Sequence, residues 1–229
     1  MVKKFIKRKR MFKRKPRRYG RKSTTLANRS AIAPIPARYI TKMKYAESFV
    51  LSGTGLRTQQ MNLNSLFDPN RSGLGHQPYG FDQLCGPSGS ALFNRYRVFK
   101  VDYVVVVAND VYNIHYAVLN SNDASPPIGN VSEARENPRC QYVCQNPGGT
   151  LKKITGSISL PSLLGRTKSQ YMASPDYAAQ YNATPNELAI MNIYAQGLND
   201  DVGVPMTHTV NVLLTYHVEF YDPHVLDQS

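Results

Sequence analysis

Residues 206–220, MTHTVNVLLTYHVEF, constrain the architecture more than any other stretch of the chain. His208, Val210, Val212, Leu214, Tyr216, Val218 and Phe220 occupy the even positions, whereas Thr207, Thr209, Asn211, Thr215, His217 and Glu219 occupy odd ones. Successive side chains of a strand point to opposite faces, so this alternation predicts one long strand with a buried and a solvated face. Such a strand needs partners and a second layer to cover its apolar side.

Other segments supply the partners. Met43, Tyr45, Phe49 and Leu51 alternate with Lys42, Lys44 and Ser48, SGTG at 52–55 offers a turn, and Met61 and Leu63 continue beyond it. FNRYRVFKVDYVVVVAND (93–110) is a long strand, and its later half is apolar at both parities, which predicts cover on both faces. A turn-length break at Asn109–Asp110 leads into NIHYAVLN (113–120). RCQYVCQ (139–145), LKKITGSISL (151–160) and ELAIMNIYAQ (187–196) complete eight predicted strands. Helix signals are confined to one or two turns each in FDQLCG (81–86) and VSEAREN (131–137). The Pro/Gly-rich excursions Asp68–Pro87, Asn120–Pro138 and Pro161–Pro185 argue against an up-and-down meander. An immunoglobulin-like sandwich and a jelly roll both satisfy this pattern.

The amino terminus obeys different physics. Lys3, Lys4, Lys7, Arg8, Lys9, Arg10, Lys13, Arg14, Lys15, Arg17, Arg18, Arg21, Lys22 and Arg29 are its cations, and the first acid of the chain is Glu47. The remaining 14 basic groups face 15 acids, so the net charge of +13 belongs entirely to this arm. Like charges at this density repel, and too few apolar residues lie among them to offset the entropy of ordering. The expectation is a disordered arm over residues 1–36, with Pro34 and Pro36 stiffening its junction to a folded domain over 37–229. A mobile polycation binds phosphates through counterion release without reading base sequence, and Tyr19, with Phe5 and Phe12, can stack on unpaired bases. It does not separate DNA from RNA, since it does not engage the 2′-hydroxyl. KRKR (7–10) and KRKPRR (13–18) also fit a nuclear localisation signal.

Catalytic signals are absent from the sequence. No G-x-x-x-x-G-K-[ST] loop cradles a nucleotide, and no His-x-His pair provides nuclease metal ligands. Cys140 and Cys144 share a strand face about 13 Å apart, too far to bridge, and lack a neighbouring His pair for zinc. With Cys85 they read as reduced thiols of a protein that matures in the cytosol or nucleus. His76, His115, His208, His217 and His224 are scattered, with those on strands satisfied by neighbours. No run is long enough to span a membrane, and no continuous apolar segment follows the basic start to form a secretory signal. No catalytic residue, metal site or cofactor is therefore expected.

GFDQL (80–84), NRYRVFKVDYVV (94–105) and a closing valine-rich strand ending YDP (221–223) resemble capsid proteins of circovirus-like circular single-stranded DNA viruses. The resemblance runs from the basic arm to about Pro223. It departs from circoviruses proper in the arm, which mixes Lys and Arg almost equally where theirs is arginine-dominated. It implies an eight-stranded antiparallel jelly roll, sixty identical subunits in an icosahedral shell, and arms facing inward onto a single-stranded DNA genome. It further implies import receptors of the host nucleus and an attachment receptor as partners, and the virion as the final location. A coat protein of a small single-stranded RNA virus, or a non-viral nucleic-acid- or glycan-binding jelly roll, would use the same arm and fold.

Overall fold

A computed structural model describes residues 35–108, 113–197 and 206–224. The basic arm and the turn predicted at Asn109–Asp110 lie outside these described residues. Among the described residues there are nine strands: β1 (Arg38–Gly53), β2 (Arg57–Asn62), β3 (Phe93–Ala108), β4 (Ile114–Ser121), β5 (Cys140–Gln145), β6 (Lys152–Ser159), β7 (Ala179–Gln180), β8 (Ile190–Gly197) and β9 (Met206–Pro223). They form two antiparallel sheets, β1-β9-β3-β6 with the two-residue β7 appended to β3, and β2-β8-β4-β5.

The pairing is nested. First pairs with last, β1 with β9, then β2 with β8, β3 with β6 and β4 with β5. This doubled-over ribbon wraps so that β9 also meets β3 and β8 meets β4. That connectivity is the jelly roll, and it removes the immunoglobulin-like alternative. The β2–β3 excursion enters the larger sheet, and the β6–β8 excursion leaves it, at the end where β1 starts.

The core lies between the sheets. Val210, Val212, Leu214, Tyr216, Val218 and Phe220 of β9 point into it, as the alternation predicts. Tyrosines form much of this core and tie the excursions down: Tyr216 Oη donates to Asn62 O (2.8 Å), Tyr96 Oη to Ala183 O (3.0 Å) and Tyr171 Oη to Val98 O (2.5 Å). Gly156 of β6 sits opposite Tyr103, and a Cβ there would lie 2.4 Å from the Tyr103 ring, so the ring demands a glycine.

The structure differs from expectation in two places. In β3, Val101, Tyr103, Val105 and Val107 are buried, but Val104 and Val106 are half-exposed beside Leu213, so one face is covered and not two. Their β-branched side chains satisfy strand propensity without burial. The predicted short helices form as α1 (Phe81–Leu84) and α2 (Val131–Glu136), yet the Pro161–Pro185 excursion also folds. It contains α3 (Leu160–Leu163), α4 (Lys168–Ala173) and a 3₁₀ turn at Pro175–Tyr177. Ile35, the first described residue, is part of the core cluster.

Candidate nucleic-acid interface

All the residues singled out for nucleic-acid contact, Lys3 to Arg29, lie outside the described residues. The described chain begins at Ile35, just ahead of β1 of the larger sheet. Ile35 packs against the core, Tyr39 stacks on Phe93 (6.4 Å between centroids), and Arg38 Nη1 pairs with Glu219 Oε1 at 3.2 Å. Glu219 is itself buried, so this exposed arginine compensates a carboxylate that water cannot reach. The chain thus enters the fold at one end of the larger sheet.

The outer face of that sheet is built from the even residues of β1, the odd residues of β9 and, past an irregularity at Val98/Lys100, the even residues of β3. Register aligns Lys42, His217, Lys100 and Ser159 in one row across four strands, a span of about 14 Å. The next row carries Lys44, Thr215, Asp102 and Ser157. Asp102 accepts from His217 Nε2 (2.7 Å) and lies 3.0 Å from Lys100 Nζ. The His217 hydrogen bond is the main reason its carboxyl is held well below the usual carboxylate range. Arg97, by contrast, is buried and donates to Met172 O (2.7 Å) and Ser174 O (3.1 Å), fastening the end of α4 to β3. It is a structural cation.

Histidine chemistry is local. His115 bonds the Tyr142 hydroxyl (2.6 Å), and His224 bonds Gly86 O (2.9 Å). His76 contacts Gln77 O and Ala46 O, and the Gln77 bond leads the upward shift of its pKa. It closes a cluster in which the Tyr45 hydroxyl and Asn70 both bond Glu47, pinning the β2–β3 excursion to β1. His208 is buried between the sheets against Tyr116, and burial lowers its pKa. Among the described residues no group of three or more His, Cys, Asp or Glu could hold a metal ion. No helix among them is long and apolar enough to cross a membrane. Cys85, Cys140 and Cys144 are free thiols; burial pushes Cys85 up to about 12, which leaves it an unreactive core residue.

Comparison with known proteins finds a fold neighbourhood and nothing nearer. No family model matches, and no curated protein does. The empty head of turnip yellow mosaic virus superposes with a TM-score of 0.45 at 11% identity, over 86% of this chain and 87% of the other. The 60-mer capsid protein of BFDV gives 0.44 at 9%, over 84% and 97%. Mud crab tombus-like virus gives 0.42 at 15%, over 82% and 84%. At these scores the fold assignment rests on this chain's own strand order and register.

The row through Lys42 and Lys100 was not visible in the sequence. Its members come from β1, β3, β6 and β9, and only the register brings them together.

Proposed function

We propose that this chain is a viral capsid protein that assembles with copies of itself into a small icosahedral shell. Through residues 1–36 it packages single-stranded DNA, and KRKR and KRKPRR in the same arm direct it to the host nucleus before assembly. The sixty-subunit shell, the DNA genome and the host receptors are taken from the family resemblance. The observation that carries the reading is the division of charge: fourteen cations without an acid precede a near-neutral jelly roll. A polycation tethered to one end of a body that self-associates concentrates charge on one side of the assembly, where it neutralises packed phosphates.

Two measurements test this. Electron microscopy of the purified protein should show uniform hollow spheres, and small discrete species would remove the capsid reading. A salt titration of single-stranded oligonucleotide binding should compare the full chain with a full-length variant whose arm Lys and Arg are changed to Gln. Fourteen phosphate contacts set a ceiling slope of log K against log salt near about −10, and roughly −5 to −8 is expected because not all charges engage at once. The variant should lose most of the affinity and most of the slope. Retention of both would overturn the packaging role of the arm.

A further inference from the structure

The net charge of −1 on the body conceals an uneven distribution. The row of Lys42, His217, Lys100 and Ser159 ends at a shallow concavity of about 350 Å³ between β3, the end of β6 and the α3–α4 turn. Lys100, Arg166 and Lys168 line it together with the Ser159 and Ser162 hydroxyls and the half-buried Phe99, and no Asp or Glu is among its lining residues. Gly165 adopts φ +66° to turn the chain between α3 and α4, and Arg166 Nε donates to Tyr177 Oη (2.9 Å), which orients its guanidinium. Phe99 also packs edge-on to His217, with centroids 6.0 Å apart. Among the described residues, Lys42, Arg166 and Lys168 have no ion pair; of the two carboxylates in the rows next to this one, Asp102 is shared by Lys100 and His217, and Glu219 is buried against Arg38.

We infer that this belt is a second, fixed binding surface for single-stranded nucleic acid. Three features select that occupant. Cations and hydroxyl donors without a lining acid complement phosphates. An aromatic ring within the cationic surface complements an unpaired base, which a duplex does not present. The polycationic segment is followed in the chain by β1, a strand of this same sheet, so the two cationic segments are covalently close. The inference rests on the packaging reading and deepens it: the arm collects the strand, and the belt sets its path along the protein. Phosphates lie along Lys42, Lys100, Arg166 and Lys168, and a base stacks on Phe99.

The test uses the full-length chain with its arm intact. Lys42→Gln, Lys100→Gln and Lys168→Gln are combined, and a Lys42→Gln, Lys168→Gln double variant spares the Lys100–Asp102 pair in case the triple variant folds poorly. Binding of labelled oligo-deoxythymidylate is followed by anisotropy across salt, with thermal melts as the folding control. The triple variant should show a salt slope shallower by about 2 and an affinity about tenfold lower near physiological salt. The double variant should show about two-thirds of that change in slope. Phe99→Leu should weaken binding about fivefold at unchanged slope, because stacking releases no counterions. If the folded variants keep wild-type slope and affinity while the arm-neutralised chain is weak, the belt is wrong and the arm reading stands. If instead the triple variant loses binding and the arm-neutralised chain keeps it, the arm reading fails and the belt stands. An unchanged Phe99→Leu variant overturns the stacking part.

Discussion

The two sheets present contrasting outer faces. On the smaller sheet α2 lies across β4 and β8, and its Val131 and Ala134 bury Ala117, Leu119 and Tyr194 in a second apolar cluster. Asn130 caps this helix by accepting from Glu133 N (2.8 Å), while the Glu133 carboxylate accepts from Gly129 N (2.6 Å). The larger sheet has no helix across its middle among the described residues: Val104, Val106 and Leu213 are half-exposed, the cationic rows lie to one side of them, and only beyond those rows are Arg97 and Glu219 buried. Both faces carry apolar residues at strand period. The difference comes from where the β4–β5 connection folds back. A short capped helix turns one sheet into a three-layer stack, and the other keeps a surface available to partners.

The sharpest way to break this contrast is a matched pair of truncations. Leu119→Ala removes a fully buried side chain beneath α2 and should cost about 3 kcal/mol, the range for leucine deletions in packed cores. Leu213→Ala removes a side chain that is 36% exposed and should cost under about 1 kcal/mol. Urea unfolding of the two variants provides the measurement. Equal losses would mean that the larger sheet is covered too.

A second substitution probes the inner side of the larger sheet. Gly156→Ala drives a Cβ into the Tyr103 ring, which is buried and accepts a hydrogen bond from Asn120 (3.3 Å). Overpacking of this kind should cost about 2 kcal/mol. Tyr103→Leu in the same chain should recover part of the loss, since it removes the ring that the new methyl meets.

Sequence patterning revealed the strands because it reports burial, and burial alternates along β9 from Val210 to Val218, breaking only at Glu219, a carboxylate buried beside Arg38. It failed at Val104 and Val106, where apolar identity reflects strand propensity and a half-open face. The α4 helix was legible in principle. Thr167-x-x-Gln170 is a capping box, with Gln170 N donating to Thr167 Oγ1 (3.2 Å) and Thr167 N to Gln170 Oε1 (3.1 Å). The two-residue β7 carries no periodicity and exists only because β3 offers it an edge. For the candidate interface, the arm was legible as charge, whereas the belt depended on register among strands more than 50 residues apart in the chain and so on the folded topology.

pH separates the inside of the sandwich from its bare face. His208 is buried, and burial lowers its pKa below that of the unfolded chain. The unfolded state therefore binds a proton first, so His208 costs no stability above about pH 6.5 and costs progressively more as pH falls below it. His208→Leu should flatten the decline in stability between about pH 7 and 5 relative to wild type. A parallel decline in both proteins would show that His208 keeps its charge in the fold.

The smallest expected effect tests Asp102 on the exposed face. Its carboxyl is held below the usual range chiefly by His217, so its contribution to stability is complete above the unfolded value near about 4 and is lost as pH falls from there. Its side chain is 39% exposed, so solvent screens the pair, and Asp102→Asn should cost less than about 1 kcal/mol at neutral pH. The difference from wild type should shrink progressively as pH falls below about 4, because the unfolded chain takes up the proton while folded Asp102 still holds its charge. The same substitution removes the carboxylate that pairs with the cationic row and frees Lys100 from its partner. It should therefore tighten single-stranded oligonucleotide binding and steepen the salt slope by up to about 0.7, one further phosphate contact. Asp102→Asn thus weakens the fold slightly while strengthening the interface, and no substitution on the α2-covered face should show that combination. Weaker oligonucleotide binding by a folded Asp102→Asn chain would mean that the Asp102–His217 pair holds this face in its binding shape and does not oppose the ligand's charge.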